Sequence, residues 1–182
     1  LAASQRRTSF CREIGAWSWR TSVRDLERFS RGGWHRSAVS VPWTDLGALL
    51  PWLGDQPYLV DDEEHGPLRE GLSGAGFLIS EMEVERTTSE REYAGAVLSS
   101  LGAWEGREAN WALFNDRMWD FYALGGGRIA LIVKGVDVWF ESNFRMALRC
   151  VHKSLEIING LSPRGNSSQR QVVVFFLGDW PV

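Results

Sequence analysis

The sequence predicts an α/β domain in which a small parallel sheet is crossed by helices. Three observations carry this reading. Apolar runs of strand length stand at 76–84, 128–135 and 171–178. Amphipathic stretches of helical length separate them. The resulting order, β-α-α-β-α-β, suits parallel strands, because parallel neighbours need a crossover of a dozen residues or more.

Each element follows from local pattern. "GFLISEMEV" (76–84) reads as a strand and a turn. In "TTSEREYAGAVLSSLG", Ser89 and Glu92 have capping-box spacing, Tyr93, Val97 and Leu101 form one stripe, and Gly102 is the stop. In "EANWALFNDRMWDF" (108–121), Trp111, Phe114, Met118 and Phe121 recur at spacings of three and four, behind Asn110 as N-cap. The glycines at 125–127 end that helix. "RIALIVKG" (128–135) and "QVVVFFLG" (171–178) are continuous apolar runs, as strands buried on both faces require. Between them "FRMALRCVHKSLEIING" (144–160) is a long amphipathic helix.

Ahead of these elements the pattern is less regular, and the sequence divides near Gly74 into an extension (1–73) and a domain (74–182) expected to fold alone. "TDLGALLPWL", from Thr44, reads as a short helix broken at Pro51, while "SAVSV" and "PYLV" read as strands. Two arrangements fit: a small β-rich appendage, or an extra layer on the main sheet.

Composition narrows the function. With 182 residues, 44% hydrophobic and 24% charged, the chain has the make-up of a soluble globular protein. A formal net charge of -3 does not suit a general nucleic-acid binder or an acidic decoy. The charge is uneven, with eight arginines against three acids in 1–36 and ten acids against three arginines in 61–92. Ten tryptophans are too many to bury in full, so some are expected at a binding surface. Cys11 and Cys150 make no disulfide framework. No apolar run reaches the roughly 18 residues of a membrane span, and the basic start lacks the apolar stretch of a signal peptide. A reduced, cytoplasmic setting is expected.

No catalytic or cofactor signature emerges. "GGGR" precedes a strand, whereas a phosphate-cradling loop follows a strand and opens a helix. Cys150 and His152 point roughly 200° apart on a helix and cannot share a metal. His35 and His65 stand alone, and "DDEEH" (61–65) lacks the ligand spacing of a calcium loop, so it reads as a solvated turn. The chain is therefore expected not to be an enzyme, and to need neither metal nor cofactor. The arginine-rich start, interleaved with Phe10, Trp17, Trp19 and Trp34, reads as a frayed terminus or as an RNA-contacting segment. The latter leaves an alternative function: an RNA-contacting regulator whose C-terminal domain docks or dimerises.

The helix at 108–121 has a second face, made of Ala112, Asn115, Asp116 and Trp119. Spacing alone permits a solvated charge with Trp119 under a neighbouring loop, or a binding surface.

From about 76 to 180 the chain resembles the barstar family of ribonuclease inhibitors, in its larger actinobacterial form. "GFLISEMEVERTTSEREYAGAVLSSLG" resembles the family's first strand and helix. "WEGREANWALFNDRMWD" resembles its aromatic-Gly-x-Asn loop and second helix, and "RIALIVKGVDVW" and "RQVVVFFLGDW" resemble its next two strands. The resemblance implies a three-stranded parallel sheet packed against helices. It also implies a cytoplasmic antitoxin-like (immunity) protein that binds a secreted guanyl-specific, barnase-like ribonuclease one-to-one, with no nucleic acid or membrane involved. The helix Asp would imitate the RNA phosphate. By position that carboxylate is Asp116, Asn110 opens the helix, and Trp104 and Gly106 match the aromatic-Gly element. Ala112, Asn115 and Trp119 complete the surface shown to the enzyme. The chain departs from the family in a longer 104–110 loop, in Ala112 where a second acid is common and in Asn115 where a Trp is common. The family's further acidic contact, near the end of the long helix, has Glu156 as its candidate.

Overall fold

The computed structural model describes residues 42–161 and 170–180. "SAVSV" and the arginine-rich start lie outside the described residues. In chain order the elements are α1 (Leu46–Leu49), β1 (Tyr58–Asp61), a 3-10 turn (Asp62–Glu64), α2 (His65–Gly74), β2 (Phe77–Glu83), α3 (Glu90–Ser100), α4 (Trp111–Leu124), β3 (Gly127–Lys134), α5 (Val136–Leu161) and β4 (Arg170–Gly178). No helix among them is long and apolar enough to cross a membrane.

The sheet is parallel throughout, but it has four strands in the order β1-β4-β3-β2, not three. The added strand is β1, the "PYLV" run, which pairs with β4 from Tyr58 opposite Phe175 to Asp61 opposite Gly178. The resemblance had implied three strands because short family members have no counterpart for this segment.

Why the central strands are apolar at every position is now plain: both faces of the sheet are covered. Side chains alternate between faces. Ile129, Leu131 and Val133 of β3 and Val172, Val174 and Phe176 of β4 pack with Tyr93, Val97, Leu98, Phe114, Met118 and Trp139 under α3, α4 and α5. Their neighbours Ala130, Ile132, Val173, Phe175 and Leu177 face the other way, onto Leu46, Leu50, Val60, Leu68 and Leu72 from α1, β1 and α2. Residues 44–74 are thus the extra layer of the two arrangements considered. The division near Gly74 falls at the end of α2, but the residues before it share the core of the same sheet, so the expectation that 74–182 folds alone gives way to that of one cooperative unit.

Polar contacts fasten this layer. Gln171, buried on β4, accepts from the Thr44 amide (2.9 Å) and donates to the Thr44 carbonyl (2.9 Å). Arg128 donates to the carbonyls of Ala75 (2.8 Å) and Pro42 (2.9 Å). The Trp180 indole donates to the Val60 carbonyl (3.1 Å), closing the chain over β1.

The "DDEEH" stretch differs in part from the expected solvated turn. Asp61 closes β1, Asp62–Glu64 form the 3-10 turn, and His65 opens α2. His65 is not alone either: its Nε2 lies 3.3 Å from Glu81, which also pairs with Arg69 and Lys134 (2.7 Å each). Partial burial works against the charge of Glu81, but Lys134, Arg69 and His65 outweigh it and hold the carboxyl below its ordinary value.

The long helix expected at 144–160 is present, and a further helical stretch that was not expected precedes it. α5 starts at Val136, with Val136 and Trp139 buried at a three-residue spacing, and breaks at Asn143 (φ -153°, ψ 64°). The Asn143 side chain accepts from the Met146 amide (3.4 Å), so it caps the second segment where the helix breaks.

Candidate docking face on helix α4

The face is built from the end of α3 forward. Gly102 takes φ 68°, a left-handed turn that suits glycine, and ends α3. The chain then runs back along α3 as a loop from Ala103 to Asn110. Three contacts pin it there. The Ala109 amide donates to the Arg91 carbonyl (3.0 Å). Gly95 of α3 leaves room for the Arg107 backbone, which a Cβ at that position would overlap. The Trp111 indole donates to Glu90 (2.8 Å), and Glu90 in turn pairs with Arg149 of α5 (2.8 Å).

Asn110 then starts α4, its side chain accepting from the Leu113 amide at 2.8 Å. Phe114 and Met118 are fully buried, Tyr122 joins them, and Trp111 and Phe121 are half-buried. At the far end Arg170 donates to the Phe121 carbonyl (2.6 Å) and lies 3.8 Å from that ring's centre. Burial lowers its guanidinium to about 10, which leaves it cationic at neutral pH beside the negative end of the helix. Both ends of α4 are therefore held.

On the outer side Ala112, Asn115, Asp116 and Trp119 are all exposed, and Trp119 keeps 63% of its surface in solvent. Of the two readings of this face, no loop among the described residues covers Trp119. Asp116 has no hydrogen bond or ion pair among the described residues. The other sequence-derived candidates sit differently. Trp104 is half-buried, with Gly106 so close that a Cβ there would overlap its indole. Asn110 is spent on the cap. Glu156 points to solvent on α5 and pairs with Lys153 (2.8 Å).

Sequence reading passed over Arg117. Its guanidinium lies 5.7 Å from the centre of the Trp104 ring and its Nη1 is 3.9 Å from Asp120, so it joins the loop to the helix. The signal was present in the pairing of Arg117 with Asp120 at i, i+3, but the partner ring lies 13 positions back. Loop and helix together expose four acids (Glu105, Glu108, Asp116, Asp120) against two arginines (Arg107, Arg117), so the surface favours a basic partner.

Burial, with Glu90 nearby, pushes the Cys150 thiol up to about 12, far from a thiolate at neutral pH. Burial likewise raises the Tyr93 hydroxyl, which meets Ser154 at 3.2 Å. No three metal-ligating side chains gather among the described residues.

The Gly95 contact yields one expected outcome. Glycine inside a helix normally costs about 1 kcal/mol relative to alanine. Gly95→Ala is expected to reverse that sign, because the new methyl meets backbone that cannot rotate away, and overpacking costs about 1–3 kcal/mol. A lower melting temperature together with loss of amide protection at Ala109 is the expected pair of readings. A higher melting temperature would show that the loop yields freely.

No protein-family model matches the chain, and no curated protein matches it.

Proposed function

We propose that the chain is a barstar-like inhibitor that covers the active site of a secreted guanyl-specific ribonuclease with α4 and the loop before it. One observation carries this reading: a carboxylate without a side-chain partner among the described residues, Asp116, shares a helix face with an exposed indole, Trp119, on a helix fixed at both ends. The motif resemblance through "NWALFND" supports the same residues. The extra strand β1 lies at the sheet edge beyond β4, and the α1–α2 layer packs on the face away from α4, so neither obstructs the docking surface. In this role Asp116 takes the place of a substrate phosphate among the enzyme's cationic groups, and the protein catalyses nothing. The complex is one-to-one and forms in the cytoplasm, where the producer must survive its own enzyme.

An equimolar amount of the chain is expected to abolish RNA cleavage by a barnase-like or related guanyl-specific ribonuclease, without itself retaining RNA. Association is expected to approach about 10⁸ M⁻¹s⁻¹ at low ionic strength and to slow steeply toward about 0.5 M salt. The barnase–barstar pair is itself the reference case for these magnitudes. Failure to inhibit several such enzymes at about 1 μM, a concentration well above the dissociation constants of specific inhibitors, sinks the reading. Retention of free RNA in place of the enzyme favours an RNA-contacting regulator.

A further inference from the structure

We propose that the chain forms a twofold dimer with a second copy of itself through an apolar stripe on α5, which leaves α4 free in each copy. This goes beyond the ribonuclease reading and does not rest on it.

The stripe is continuous. Phe144 and Leu148 stand four residues apart on α5 and keep 59% and 49% of their surface in solvent. The Phe144 ring meets Phe140 edge-on, with centres 5.6 Å apart, and Phe140 meets Trp180 in the same way at 6.2 Å. Trp180 is fastened to β1, its indole donating to the Val60 carbonyl and its amide to the Asp61 carboxylate. On β1, Leu59 alternates with the buried Val60, so it lies on the α5 side of the sheet, and it too is exposed. A single exposed apolar residue needs no explanation, but a connected row of them marks an interaction surface. The stripe also looks away from α4. Arg149, about 100° round the helix from Leu148, reaches Glu90 of α3, and α3 packs with α4 through Tyr93 and Trp111. On the other side Asn159 of α5 reaches Gln56, ahead of β1 (3.0 Å).

Charge decides the occupant. Around Phe140 and Trp180 the surface is acidic: Asp61 accepts from the Trp180 amide (3.3 Å), Asp137 lies against Gly178, and Glu141 and Asp179 are exposed. Past Phe144 the helix turns basic, with Arg145, Arg149 and Lys153 and no acid before Glu156. Arg149 and Lys153 are taken up by Glu90 and Glu156 (2.8 Å each). Arg145 and Glu141 have no ion pair among the described residues, although they stand at i and i+4, because the helix breaks at Asn143 between them. Two opposite charges are thus left open on either side of Phe144. A stripe with acid at one end and base at the other complements itself when turned through 180°. In an antiparallel pairing about Phe144, Phe140 of each copy lies over the second copy's Leu148, and Glu141 comes within reach of the second copy's Arg145. A parallel pairing sets like charges together, so the charges select the antiparallel twofold.

Sedimentation of the full-length chain between about 1 and 200 μM tests the dimer, a range that covers weak as well as stable association. A reversible monomer–dimer equilibrium is expected. Phe144→Glu and Leu148→Glu, both changes at exposed positions that leave the melting temperature in place, are each expected to raise the dimer Kd at least about tenfold. Glu141→Lys and Arg145→Glu are each expected to weaken the dimer by setting like charges together. An equimolar mixture of these two variants is expected to regain it, because each copy then supplies the charge that the other lacks. A chain that stays monomeric throughout the range overturns the proposal and leaves the stripe to a different protein. A dimer indifferent to Phe144→Glu and Leu148→Glu, or a mixture that associates no more tightly than its two components, overturns it as well.

Discussion

Asp116→Ala is expected to weaken ribonuclease inhibition at least about thirtyfold while leaving the melting transition in place. The two halves of this outcome have separate causes. In the free protein Asp116 is exposed and supports nothing among the described residues, and surface changes of this kind stay within about 0.5 kcal/mol. In the proposed complex the same carboxylate would be desolvated among cationic groups, and its removal would strand them. That costs on the order of 2–5 kcal/mol, mostly as faster dissociation, and each 1.4 kcal/mol is tenfold. Asp120→Ala is the control, since Asp120 is also exposed but lies 3.9 Å from Arg117. Equal small losses in both variants would reduce Asp116 to part of a diffuse negative patch.

Deleting residues 1–74 is expected to remove the fold as a whole, and inhibition with it. The deletion takes away Leu46, Leu50, Val60, Leu68 and Leu72, all buried, and strips β4 of its neighbour β1. At about 1.5–3 kcal/mol for each buried aliphatic side chain, the loss is on the order of 10 kcal/mol, an upper figure because the unfolded chain is partly compact. Domains of this size are stable by only about 5–15 kcal/mol. The fragment would also bare Ala130, Ile132, Val173, Phe175 and Leu177 along one sheet face, an invitation to aggregate. Loss of a cooperative transition, with aggregation, is the expected calorimetric result. A fragment 75–182 that melts cooperatively within a few degrees of the full chain would make the layer an accessory.

Local chemistry was legible where it is self-contained. Ser89, Gly102 and Asn110 cap or stop their helices through atoms three to five residues away, and each was readable from spacing. Phe114 and Met118 were readable as core, because a helical stripe must face something apolar. The composition of Ala112, Asn115, Asp116 and Trp119 as one exposed face was likewise present in the sequence.

What escaped notice was long-range. "PYLV" carries the apolar character of a strand, but its pairing with β4 joins Tyr58 to Phe175, and no local pattern encodes such a distance. Val172 to Leu177 read correctly as buried on both faces. That reading already required a second layer, although residues 74–182 supply helices to only one side. The short first segment of α5, before Asn143, was missed because Val136 and Val138 imitate a strand leaving the sheet, while the helical pair Val136 and Trp139 spans only one turn. Glu81 was invisible as a hub because its partners come from α2 and β3.

The sheet divides responsibility between adjacent residues. Val173 and Val174 are neighbours in β4, yet one belongs to the α1–α2 layer and the other to the helices that carry the docking face. Drift in sequence on the first side can proceed without touching the proposed docking surface, provided volume is kept. Drift on the second side shifts α4 itself. Relatives of this chain that have changed partners should therefore differ along α4 and its backing positions, such as Val172, Val174 and Phe176, and a chain can replace its α1–α2 layer while keeping its old partner.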